Sequence, residues 1–84
     1  MIQVRYFARL REDLGSSGET LEPPQSVRTV GALRAWLAAR GEPWANALRA
    51  DKAVRVAVNQ EMAPDTAPVA AGDEVAFFPP VTGG

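Results

Sequence analysis

One amphipathic helix set between two groups of strand-forming segments limits what this chain can become. The helix runs from Val30 to Arg40. Thr29 precedes it as an N-cap, Gly41 follows where a C-cap glycine belongs, and Pro43 blocks continuation. Val30, Leu33 and Leu37 share one face at spacings of three and four, with Trp36 at its border. Ala32, Ala35, Ala38 and Ala39 fill the rest and favour helix by propensity. An apolar stripe of that length needs a partner surface, and the strands supply it.

Ile2 to Ala8 alternates: Ile2, Val4 and Tyr6 point one way, Gln3, Arg5 and Phe7 the other. Arg9 to Leu14 suits a short helical turn ended by Gly15, and Ser16-Ser17-Gly18 marks a turn. Glu19 to Glu22 is a short strand stopped by Pro23-Pro24. After the helix, Trp44 to Leu48 adds a further turn. Val54 to Val58 carries three valines on one side. Asn59-Gln60 and Pro64-Asp65 read as turns, with Asn59 shaping the first. Gly72-Asp73 introduces the last strand, Glu74 to Phe78. The expected class is α+β: a β-grasp, or ubiquitin-like, mixed sheet of four to five strands crossed by one main helix. Its first and last strands should be parallel neighbours at the centre. Residues 1–78 form the domain, and 79–84 form a flexible C-terminal tail.

Composition narrows the chemistry. The 84 residues include no Cys and no His, and the formal net charge is -1. Disulfides, thiolate nucleophiles, imidazole bases and the commonest metal ligands are excluded. Carboxylate-only catalysis stays open, but the acidic residues are spread along the chain. Independent catalysis is therefore not expected. Nothing suggests a nucleic-acid surface, which needs clustered excess Lys and Arg. No apolar run approaches the roughly 20 residues of a membrane span. Arg5, Arg9 and Arg11 interrupt any signal-peptide layout, so a cytoplasmic location is the default.

The end of the chain, Phe78-Pro79-Pro80-Val81-Thr82-Gly83-Gly84, is its most specific stretch. A terminal Gly-Gly alone decides little, because glycine-rich ends are common. Here Pro79-Pro80 directs an extended exit from the sheet, and six residues reach at most about 20 Å. The tip lacks Cβ atoms and fits a narrow channel. Such an arm can deliver its carboxylate into another protein. Joined to AMP, that carboxylate becomes an electrophile, and a sulfur donor can displace AMP to leave a thiocarboxylate. No side chain of the carrier is needed. If the end strands are parallel neighbours, Phe7 and Phe78 lie side by side on the outer face at the root of the tail. Met62 could join them. Exposed aromatics of this kind mark a contact surface. The competing reading is that a loop or the Trp44 segment covers them.

Val58-Asn59-Gln60, Arg11-Glu12 and the ending Gly72 to Gly84 carry a resemblance to the small-subunit family of molybdopterin synthase, the sulfur carriers of molybdenum cofactor biosynthesis. The resemblance covers the whole chain, less diagnostically from Gly15 to Asp51. It implies that an enzyme similar to ubiquitin-activating enzymes, using ATP, adenylates Gly84, next to Gly83. A sulfur donor system then makes the thiocarboxylate. The tail inserts into the large catalytic subunit and donates sulfur to cyclic pyranopterin monophosphate, building the molybdopterin dithiolene. The assembly implied is a heterotetramer. No tightly bound cofactor is implied for the carrier. In the family, apolar residues at the positions matching Phe7, Met62 and Phe78 contact the large subunit, and the full set expected here to bind a partner is Phe7, Arg11, Met62, Phe78, Pro79, Pro80, Val81 and Thr82.

Three rivals share parts of this pattern. A thiamine-thiazole sulfur carrier has the fold and the Gly-Gly end, but is typically shorter and lacks Phe-Phe-Pro-Pro. A ubiquitin-like modifier would attach through Gly84 to lysines, and with Lys52 alone this chain is poorly suited to polymer chains. An interaction module with an inert tail would be indifferent to loss of Gly84. Arg9, Arg11, Glu12 and Asp13 read as a solvated face or as a second contact. Trp36 and Trp44 read as packing residues.

Overall fold

A computed structural model describes residues 1–80. The elements are β1 (Ile2–Tyr6), α1 (Ala8–Leu14), β2 (Gly18–Leu21), α2 (Val30–Ala38), α3 (Trp44–Leu48), β3 (Arg55–Val58), β4 (Glu61–Met62) and β5 (Glu74–Phe78). They build a five-stranded mixed sheet in the order β2-β1-β5-β3-β4. β1 and β5 are the parallel central pair, with Val4 opposite Val75 and Tyr6 opposite Phe77. The other pairings are antiparallel. The β-grasp expected from the sequence is the fold observed.

The alternation in β1 decides which face is buried. Ile2, Val4 and Tyr6 are sealed beneath α2, while Gln3 and Arg5 face outward. Val56, Val75 and Phe77 continue the inner row, and Val30, Leu33 and Leu37 descend onto it. Tyr6 and Phe77 stack at 6.3 Å between ring centroids. Gly18 is required where β2 meets β1, since a Cβ there would stand 2.6 Å from the Val4 carbonyl oxygen.

α2 ends two residues earlier than its sequence pattern suggests. Thr29 caps its start by accepting from the Ala32 N–H. Its last turn tightens, with Arg40 N–H donating to Leu37 O and Gly41 N–H to Ala38 O. Arg40 is thereby freed to reach β2. It donates to both carboxylate oxygens of Glu19, at 2.8 and 3.1 Å, and lies over the Trp44 ring at 4.3 Å. The Tyr6 hydroxyl donates to the same carboxylate at 2.9 Å. Trp44 Nε1 is buried with no hydrogen-bond partner among the described residues.

Burial pushes the Tyr6 hydroxyl far above its ordinary 10.0, helped by Glu19 and opposed by Trp44 and Arg40. Burial works to raise Glu19, but hydrogen bonds from Arg40 and Tyr6 win and hold it below 4.5. The stability Glu19 contributes is therefore complete above its ordinary value and is lost as pH falls through the folded one. Tyr6 behaves oppositely at the alkaline end, contributing fully below 10.0 and losing that contribution as pH rises. Urea midpoints should fall on both flanks, and Glu19→Gln should flatten the acid flank attributable to this carboxylate. An unchanged acid flank in the variant would refute the assignment.

Candidate functional site

Register places one set of side chains on the open face. Gln3, Arg5, Glu74, Ala76, Phe78, Arg55, Ala57 and Met62 all face away from α2. Phe7 follows directly, with extended backbone and its N–H donating to Phe77 O at 3.1 Å. Phe7 and Phe78 are thus brought together where both central strands finish. Phe7 is 45% exposed and Met62 57%, while Phe78 is half-buried. No helix or loop among the described residues covers them as α2 covers the inner face, and Trp44 packs against the core instead. Apolar side chains left grouped in water at a strand end mark a contact surface.

Between these residues lies a shallow depression of ≈ 580 Å³ lined by Arg5, Phe7, Ala57, Gln60, Glu74, Ala76 and Phe78. Ala57 and Ala76 face each other across β3 and β5 and form its floor. Their short side chains create the dip. Arg5 borders it, donating to Glu74 at 3.3 Å and standing 5.9 Å from the Phe7 ring. This ion pair is largely exposed and contributes little to stability. Met62 shares the face three strands from β1, opposite Ala57. Arg11 sits on the exposed side of α1 and does not line the depression.

Pro79 and Pro80 leave β5 beside Phe78 and are half-buried. Pro79 borders a second groove, between α1 and α3, shared with Arg9, Asp13 and Lys52. Val81, Thr82, Gly83 and Gly84, named from the sequence, lie outside the described residues. Asn59 does more than shape a turn. Asn59 and Gln60 both adopt positive φ, closing the β3–β4 hairpin. The Asn59 side chain donates to Asp73 at 3.0 Å and accepts from the Glu74 N–H at 3.0 Å. It pins the hairpin to β5 and sets Gln60 at the rim. The sequence reading missed Arg5, Ala57, Ala76 and Glu74, although the period-two alternation of their strands already put them on this face.

The family model of ThiS matches residues 4–84. The chain belongs to the ThiS family. Among its relatives, the molybdopterin synthase sulfur carrier subunit of Escherichia coli (strain K12) is 46% identical over 84 residues, covering all of both chains. The crystal structure of SAMP1 from Haloferax volcanii matches with a TM-score of 0.71 and 34% identity, over 99% of this chain and 98% of that one. A complex of subunits 1 and 2 of molybdopterin-converting factor from Helicobacter pylori shares the fold, at TM-score 0.63 and 22% identity, covering 99% and 97%. In this ThiS-family domain no described helix is long and apolar enough to cross a membrane.

Proposed function

We propose that this chain is the sulfur-carrier small subunit of a cytosolic molybdopterin synthase, acting as sulfur donor and not as catalyst. The observation that carries the reading is the exit of the chain from the central strand beside the exposed Phe7 and the half-buried Phe78. A partner that covers the pair receives the chain end in the same act. The end-to-end similarity to a carrier subunit supports the same conclusion.

In this reading an adenylyltransferase of the ubiquitin-activating type joins AMP to the Gly84 carboxylate, releasing pyrophosphate. A donor sulfur attacks the carbonyl carbon, the bond to the phosphate oxygen breaks, and AMP leaves. The large catalytic subunit then receives the tail and uses its sulfur to build the dithiolene on cyclic pyranopterin monophosphate. The face of Phe7, Ala76, Phe78 and Met62 docks that subunit, and Arg11 together with Pro79 to Thr82 makes flanking contacts. A second reading rests on the likeness to SAMP1, a small archaeal modifier protein. There an amine would replace sulfur as the acceptor.

Intact-mass spectrometry of the protein from its native host tests the carrier reading. Gly84 should gain the mass difference between sulfur and oxygen. A chain found only as the free acid, or only as a lysine conjugate, would overturn it. The docking face has its own test in Phe78→Asp. The side chain is half-buried and pairs in register with Arg55, so the fold should survive. Affinity for the large subunit should fall by about 2–3 kcal/mol, roughly 30- to 140-fold in Kd. Equal affinity by calorimetry would remove Phe78 from the interface.

A further inference from the structure

The side-chain sulfur of this chain is two thioethers, Met1 and Met62, and no thiol. The topology sets the two apart. Because β1 and β5 are parallel, Met1 lies where both strands begin, its carbonyl accepting from Gly72 N–H at 2.7 Å. Met62 lies three strands across the sheet and, through Ala57 and Ala76, is level with Arg5. Three strand spacings put about 14 Å between β1 and β4.

Met62 is the most exposed large apolar side chain of the open face. Its strand, β4, is the outermost of the sheet and has only two residues, so little flanks it. Its cross-strand partner is Ala57, whose single methyl cannot screen a long thioether. The backbone beneath is fixed nonetheless. Ala63 N–H donates to Val56 O at 3.0 Å, and Asn59 pins the hairpin to β5. Other oxidisable side chains are better shielded, Tyr6 being buried and Trp36 and Trp44 half-buried against the core. A peroxide meeting the free chain therefore meets the two thioethers first.

We propose that Met62 is an oxidative modification site, and that its conversion to the sulfoxide by a peroxide weakens docking of the carrier. The inference rests on the docking of the open face proposed above. The thioether lone pair attacks one peroxide oxygen, and an S–O bond forms as the O–O bond breaks. The departing hydroxide takes the proton of the transferred oxygen and becomes water. Sulfur gives up two electrons and the peroxide gains them. The apolar side chain becomes a polar one on an unchanged backbone. Covering the sulfoxide strips its water, and the Ala57 side chain beside it has no donor to give in exchange. Docking also shields the thioether, so oxidation acts on the free carrier and spares the assembled one.

Hydrogen peroxide given to the full chain alone, and removed before the large subunit is added, tests this. Peptide mapping should find one oxygen on Met62 and one on Met1. The thermal midpoint should hold, because Met62 is no part of the core formed by the described residues. Kd for the large subunit should rise about tenfold. In Met62→Leu the peroxide finds Met1 alone, and treatment should leave the affinity of that variant where it stood before. With the large subunit already bound, Met62 should oxidise several-fold more slowly while Met1 keeps its free rate. Unchanged binding by the oxidised wild type, an equal loss in treated Met62→Leu, a fall in thermal midpoint on oxidation, or equal Met62 rates free and bound would each overturn the proposal. Failure of the docking reading would show separately, as an untreated chain that does not bind the large subunit, and would overturn this inference with it.

Discussion

Deletion of Gly84 is expected to abolish sulfur transfer while leaving the fold intact. Among the described residues the last member of the hydrophobic core is Phe77, seven positions before Gly84. Thermal midpoints of the shortened and full chains should agree closely. Dithiolene formation with the large subunit and a defined sulfur source should fall below detection. A shortened tip cannot place its carbonyl where the full-length tip does, and misplacement of about 1 Å already costs on the order of a hundredfold in rate. Adding one residue after Gly84 should fail in the same way. Retained transfer by either variant would mean that the tail is inert and the module works by binding alone.

Replacing Arg34 with methionine is expected to give the largest stability loss among surface-neutral changes in α2. The methionine keeps much of the apolar stem, so packing against the helix is largely preserved. The carbonyls of Leu48, Arg49 and Lys52 lose their donor, in one hydrogen bond that is fully buried and two that are partly so. Charged hydrogen bonds are worth about 1.5–3 kcal/mol each. With partial rescue by water the net loss should be about 3–4 kcal/mol. For a domain of this size the melting temperature should drop by more than about 12 °C. Arg34→Lys should recover only part of this, because an ammonium is a point donor that cannot span three acceptors. A methionine variant that melts with the wild type would show that the 48–52 segment is held by something else.

Much of the site was readable because strands have a period of two. Once Ile2, Val4 and Tyr6 are inward, Phe7 must emerge on the other side, and the same holds for Phe78 after Phe77. Only the assumption of a parallel central pair was needed to bring the two together, and that pairing is observed. The depression itself was harder to see. It depends on Ala57 and Ala76 facing each other across two strands far apart in sequence, a matter of register. Arg11 illustrates the opposite case. Its charge cluster marks it as a candidate contact, and it lies on the exposed side of α1 and does not line the depression.

Local chemistry in the sequence was sufficient for the strand and helix segments, for the burial phase of each strand, and for the Pro-Pro exit that follows Phe78. Those are short-range properties, set by residues within a turn or two of one another. Long-range partners were decided only by the folded chain. The Glu19 carboxylate shared by Tyr6 and Arg40 and the burial of Arg34 beneath the Lys52 segment join residues 13 or more positions apart. A side chain such as Arg34 reads as a solvated charge in any local window. It becomes a buried anchor because the chain returns three bare carbonyls to it, and desolvated carbonyls require donors.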